Sequence, residues 1–89
     1  MTSITRDNVY IFLTDFLNRK LKEQQRESLR DVGDDYDIFL SGIIDSLSFA
    51  ELITAASDHF GHEVDLRGMD AEKITLVGPL CTYMSEQFN

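Results

Sequence analysis

In the stretch GIIDSLSFAELI, Gly42 to Ile53, two small polar residues, Asp45 and Ser46, stand between an apolar pair and an amphipathic run. Either of them can begin a helix. A serine there serves the backbone as a cap, or it offers an exposed hydroxyl to some chemistry at a helix tip. Ser48 with Glu51 also fits the S-x-x-E capping box two residues later, so three candidate caps crowd into four positions. A hydrolytic role for Ser46 needs a base within hydrogen-bonding reach, and the only histidines are His59 and His62. At ~1.5 Å per helical residue, His59 sits roughly 20 Å along the same helix, and His62 is no closer. The stretch also lacks a G-x-S-x-G elbow. No catalytic residue is therefore assigned.

The other chemistry-bearing types give weaker patterns. A calcium loop started at Asp37 puts Phe39 and Ser41 at the third and fifth ligand positions and Ser48 at the place of the bidentate acid, so the pattern fails. Cys81 falls on an apolar helical stripe and reads as a buried small hydrophobe. No metal site is expected.

A helix over 46–60 separates its residues into two arcs, because each residue advances about 100° around the axis. Phe49, Leu52, Ile53, Ala56 and Phe60 share one arc and form the expected core face. Leu47, Ala50, Glu51, Thr54 and Asp58 share the opposite arc, which mixes a leucine and small residues with two acids. Such a face suits a partner with an apolar notch and basic residues.

The elements that must position these residues are helical. Val9, Phe12, Leu13, Phe16 and Leu17 recur at helical spacing behind a Thr5 cap, with Asp7 early and Arg19, Lys20 and Lys22 late, as a helix dipole favours. The end of this helix falls within LKEQQRESL. Residues 30–44, with glycines, clustered aspartates and no sustained period, read as a long loop. Tyr36, Ile38, Phe39, Leu40, Ile43 and Ile44 are expected to pin it to the domain. Gly61 closes the second helix, and Asp70 reads as the cap of a short third helix with Met69 and Ile74 as a hydrophobic staple. The last helix starts near Thr75, tolerates Pro79 in its first turn, and carries Val77, Leu80, Cys81, Met84 and Phe88 on one stripe. The expectation is an all-α, small four-helix bundle, with a long loop between helices 1 and 2 and a short third helix, as a single domain over residues 1–89.

Size and charge narrow the function classes. A chain of 89 residues buries only roughly 60 to 65% of its unfolded surface, which leaves little room for a pocket that excludes water from a reaction. The net charge of −8 opposes contact with nucleic acid and anionic membranes and favours basic partners. A single cysteine and the lack of a long apolar run fit a cytoplasmic protein.

The run GIIDSLSFAELI, followed by HFGHEV and DAEKITLVGPLCTYM, resembles the acyl carrier protein family from about Phe39 to Met84. The D-S-L tripeptide carries the resemblance, together with length, acidity, helical pattern and the Phe60-Gly61 ending. It implies a 4′-phosphopantetheine arm on Ser46, holding an acyl or aminoacyl group as a thioester. It also implies that Asp45 caps the helix and helps the modifying transferase place its metal, and that Leu47, Ala50, Glu51, Thr54 and Asp58 dock partner enzymes. The implied partners are a phosphopantetheinyl transferase, a loading ligase and acyl-transferring enzymes, around a monomeric protein that catalyses nothing itself. There are departures: Ser48 and Ser57 stand where carriers of fatty acid synthesis often have acids, and Ala50 and Thr54 replace larger aliphatic residues. GIIDSL also resembles stand-alone aminoacyl carriers of the D-alanyl type, loaded by an adenylating ligase. The other class to distinguish is a helical adaptor with no covalent arm.

Overall fold

The computed structural model describes residues 4–88. Among them are three α-helices and no strand: α1 (Arg6–Glu23), α2 (Ser46–Phe60) and α3 (Val77–Gln87). The architecture is a small helical domain with three helices, not the expected four.

The ends of α1 and the end of α2 have local causes. Thr5 caps α1: its side chain accepts the Asn8 N–H while the Asn8 side chain accepts the Thr5 N–H at 3.0 Å, so two end donors are satisfied reciprocally. At its other end α1 closes on Gln25, whose φ of 59° is in the left-handed region, and the Arg26 N–H returns to the Leu21 carbonyl at 2.8 Å. The end of α2 is Gly61, left-handed at φ 73°, its N–H bonded to the Ser57 carbonyl.

No side chain caps α3. Its first three positions are accounted for differently. The Val77 N–H donates to the Tyr36 carbonyl at 3.0 Å, the Gly78 N–H donates to the Asp34 carbonyl at 2.9 Å, and Pro79 has no N–H to satisfy. The long loop thus supplies the cap of the last helix.

The same joint explains the missing helix. Asp70 does act as a cap, its carboxylate accepting the Glu72 N–H at 3.0 Å and its carbonyl accepting from Lys73 and Ile74. The chain then leaves the helical path. Ile38 takes the Thr75 carbonyl at 3.0 Å, and Asp37 and Leu76 form an isolated antiparallel bridge. With those groups committed to the loop, residues 71–75 remain a series of turns, and α3 begins at Val77 rather than near Thr75.

The core lies mainly between α1 and α3. Val9, Leu13, Phe16, Leu17 and Leu21 of α1 face Val77, Leu80, Cys81 and Met84 of α3, with Phe88 beyond it, all buried. Fully burying one such side chain is worth about 1.5–3 kcal/mol. The core arc expected for α2 is thinner: Leu52 and Ala56 are buried, whereas Phe49, Ile53 and Phe60 are half-buried.

Side chains of α1 hold the long loop. Asn18 accepts the Leu29 N–H at 2.8 Å and donates to the Leu29 carbonyl, and the Tyr10 hydroxyl makes the same double contact with Val32. Ile38, Ile43 and Ile44 are buried, and Tyr36 and Phe39 pack against the core. Leu40 departs from expectation, being 88% exposed. Its turn is closed by the Asp37 carboxylate, which accepts the Phe39 and Leu40 N–H groups, so Phe39 turns inward and Leu40 outward.

Candidate functional site

The tip of α2 is built from what precedes it. Ser41 donates its hydroxyl to the Ile38 carbonyl at 2.8 Å, Gly42 takes φ 79°, and the chain drops the buried Ile43-Ile44 pair into the core. Gln24, at the end of α1, donates its side-chain amide to the Ile43 carbonyl at 3.1 Å. The next residue, Asp45, is extended and exposed, and α2 starts at Ser46.

The competition among three caps is settled in favour of Asp45. Its carboxylate accepts the Ser48 N–H at 2.8 Å. That bond, with help from the Ser48 hydroxyl, holds the Asp45 carboxyl below its ordinary value and keeps it anionic. The Ser48–Glu51 capping box does not form, because Ser48 already lies inside α2; Glu51 accepts from the Lys20 ammonium of α1 at 2.9 Å. Ser46 is thereby left without a backbone duty. Its side chain is exposed, and among the described residues none hydrogen-bonds to its hydroxyl.

Around that hydroxyl, Leu47 is 71% exposed, and Ala50, Thr54 and Asp58 follow as exposed residues along the outer arc. Glu51 is exposed too, yet its charge is shared with Lys20, which softens the acidic character expected of this face. Leu40, in the loop leading to the tip, is a second solvent-exposed leucine. The run FLSGII suggested burial for it; the signal for the opposite was Asp37, three residues earlier, as a turn-closing side chain.

Nothing at the tip activates the serine as a nucleophile. His59 lies at the far end of α2, stacked on Phe12 with ring centroids 4.8 Å apart, and His62 stacks on Phe88 at 5.7 Å. Desolvation pushes the buried Cys81 thiol up to about 12, so it stays protonated and unreactive at neutral pH. Among the described residues no group of three or more His, Cys, Asp or Glu side chains is placed to hold a metal ion, and no helix is long and apolar enough to cross a membrane. What the tip offers is an unengaged hydroxyl beside a carboxylate at the positive end of a helix dipole. An exposed anion gains about 0.3–1 kcal/mol at such an end.

No family model, curated protein or solved structure matches this chain. The site therefore rests on its own geometry. It combines a serine relieved of capping with an adjacent exposed leucine, and it lacks a partner base.

Proposed function

We propose that this chain is a carrier protein of the acyl carrier type, modified on Ser46 by 4′-phosphopantetheine and presenting an acyl or aminoacyl thioester to visiting enzymes. The observation that carries the reading is the division of labour at the tip of α2. Asp45 takes the cap, so the Ser46 hydroxyl is exposed and unbonded at a helix N-terminus, where a phosphodiester is electrostatically favoured. The arm would supply the thiol that forms the thioester. Cys81 is buried and has no part in it.

On this reading the chain's own residues present and orient. The buried Ile43-Ile44 pair fixes where the hydroxyl stands, and Leu47, Ala50, Thr54 and Asp58 form the surface that partners touch, with Leu40 a further exposed leucine in the preceding loop. Glu51 braces α2 against α1 through Lys20 more than it reaches outward. The turns at residues 70–76 take the place of the short third helix of the family pattern. A docking face this small and this partly charged supports modest, salt-sensitive association with a phosphopantetheinyl transferase, a loading ligase and acyl-transferring enzymes.

Incubation with coenzyme A and a broad-specificity phosphopantetheinyl transferase, followed by intact-mass measurement, tests the proposal. One arm is expected on the wild type and none on Ser46→Ala. A wild type that accepts no arm overturns the carrier reading and leaves a helical adaptor.

A further inference from the structure

A groove of about 740 Å³ runs along the outer side of α1. Its floor is aromatic, Phe12 with His59 stacked on it, and Arg19, Lys22 and Arg26 stand along it with Asp15 as the one carboxylate. Phe12, Asp15, Arg19 and Lys22 share a stripe because they are spaced by three and four residues. Arg26 is brought back to the same groove by the chain reversal at Gln25, which the Asn18–Leu29 hydrogen bonds hold against α1.

The charge arrangement is unlike that of the rest of the molecule. Against 16 Asp and Glu the chain has 8 Lys and Arg, and five of these, Arg19, Lys20, Lys22, Arg26 and Arg30, fall within residues 19–30. Arg6, Lys20 and Arg67 are ion-paired to carboxylates within the fold. Among the described residues, none of Arg19, Lys22 and Arg26 has a carboxylate within ion-pair distance; Arg19 lies over the Phe16 ring, and Arg26 donates to the neutral Gln24 amide. A helix C-terminus favours Lys22, but that effect does not reach Arg26 beyond the last turn. Three cations on one aromatic-floored groove thus face solvent in a protein of net charge −8.

From this we infer that the groove docks a short acidic segment of a partner protein, its carboxylates on Arg19, Lys22 and Arg26 and an aromatic or branched aliphatic side chain on Phe12 and His59. The Debye length of about 8 Å at physiological salt decides between occupants. A peptide confined to the groove feels these three cations against the single carboxylate of Asp15. A nucleic acid or an anionic membrane would extend over the acidic surface around them and be repelled. The groove meets α2 at His59, about 20 Å along the helix from Ser46, so the segment and an enzyme at the tip can be engaged together.

The probe is a fluorescein-labelled octapeptide with three glutamates on each side of a phenylalanine–leucine pair, followed by anisotropy and by amide shift mapping of the isotope-labelled wild type. Binding is expected to shift Phe12, Arg19, Lys22 and His59. It should weaken about tenfold or more in R19E/K22E/R26E, stay within about twofold in Lys73→Glu and Ser46→Ala, and vanish when the glutamates are replaced by glutamines. The single variant Lys22→Gln, expected to weaken binding measurably, serves if the triple variant unfolds. The inference is overturned if no shifts appear, if they map elsewhere, if the glutamine peptide binds equally well, or if phosphatidylserine vesicles or polyuridylate move these resonances while the peptide does not. Since Ser46→Ala retains the groove, failure here is distinct from failure of the carrier proposal.

Discussion

The α1–α3 half of the molecule and the α2 half are held by different means. Five buried side chains line α1 and six buried residues line α3, whereas the 15-residue α2 buries only Leu52 and Ala56. What attaches α2 is a ring of partial contacts: Phe49 edge-on to Phe39, Phe60 stacked on Phe88 at 4.9 Å, the Ser57 hydroxyl accepting the Val64 N–H, and Lys20 paired with Glu51. One half is therefore a platform whose stability comes from burial. The other, the presenting element of the carrier proposal, buries two side chains fully and leaves seven of its fifteen residues exposed.

The sharpest way to break this contrast is to truncate one leucine on each side. Leu80→Ala removes a fully buried side chain of α3 and should cost about 2–5 kcal/mol in urea unfolding. Leu47→Ala, next to the candidate serine, should change stability by no more than about 0.5 kcal/mol. Equal losses would mean that Leu47 is packed in solution and that the outer face of α2 does not exist as described.

A second variant probes the seam between loop and platform. A Cβ on Gly78 would sit 2.4 Å from the Asp34 Cβ and 3.0 Å from its Cα, too close for either backbone to remain where it is. Gly78→Ala should therefore destabilise by about 1–3 kcal/mol, despite alanine's better helix propensity. The amide of Asp34 should shift in NMR spectra while the distant tip of α2 does not. An unchanged or raised stability would show that the loop does not cap α3 through this contact.

How much of this was legible in the chain follows the same divide. The stripes of α1 and α3 are readable because burial on one face leaves a period of 3.6, and Thr5 and Gly61 are readable because caps need particular residues, whereas pattern alone does not choose among Asp45, Ser46 and Ser48. The short third helix does not form although Asp70 signals a cap: what stops the turn is Thr75 and Val77 bonding to residues about forty positions away, which local pattern does not contain. The end of α1 was hidden for the opposite reason, since Gln25 occupies a left-handed position where glycine is usual. At the candidate site, the outer arc of α2 follows from helical spacing, whereas Ser46 as an attachment point follows only from the resemblance to carrier proteins. The Lys20–Glu51 pair is not legible because it depends on how two distant segments meet, and the exposure of Leu40 is masked by the apolar run around it although Asp37, three residues earlier, closes its turn.

The smallest expected effect distinguishes the two halves by acid. In the platform, the backbone N–H of Leu40 chiefly, with the Thr75 hydroxyl and the Phe39 N–H, holds the Asp37 carboxyl below its ordinary value; at the tip, the Ser48 N–H does the same for Asp45. Away from both, the Arg67 guanidinium lowers Asp65 to about 2. A carboxyl whose folded pKa lies below the unfolded value of about 3.9 contributes stability that is complete above that value and fades as pH falls through the folded one. Thermal midpoints should accordingly be flat from pH 7 to about 5 and decline below about 4. Asp37→Asn keeps the oxygen that accepts from Phe39 and Leu40 but removes the acceptor of the Thr75 hydroxyl, so it should shallow this decline by loosening the joint that orients α3 already at neutral pH. Asp45→Asn keeps a capping oxygen, so its neutral midpoint should hardly move while its share of the acid decline disappears. If the two variants lost equal stability at pH 7, the tip of α2 would be as structurally committed as the loop–α3 joint, and the division between platform and presenting element would fail.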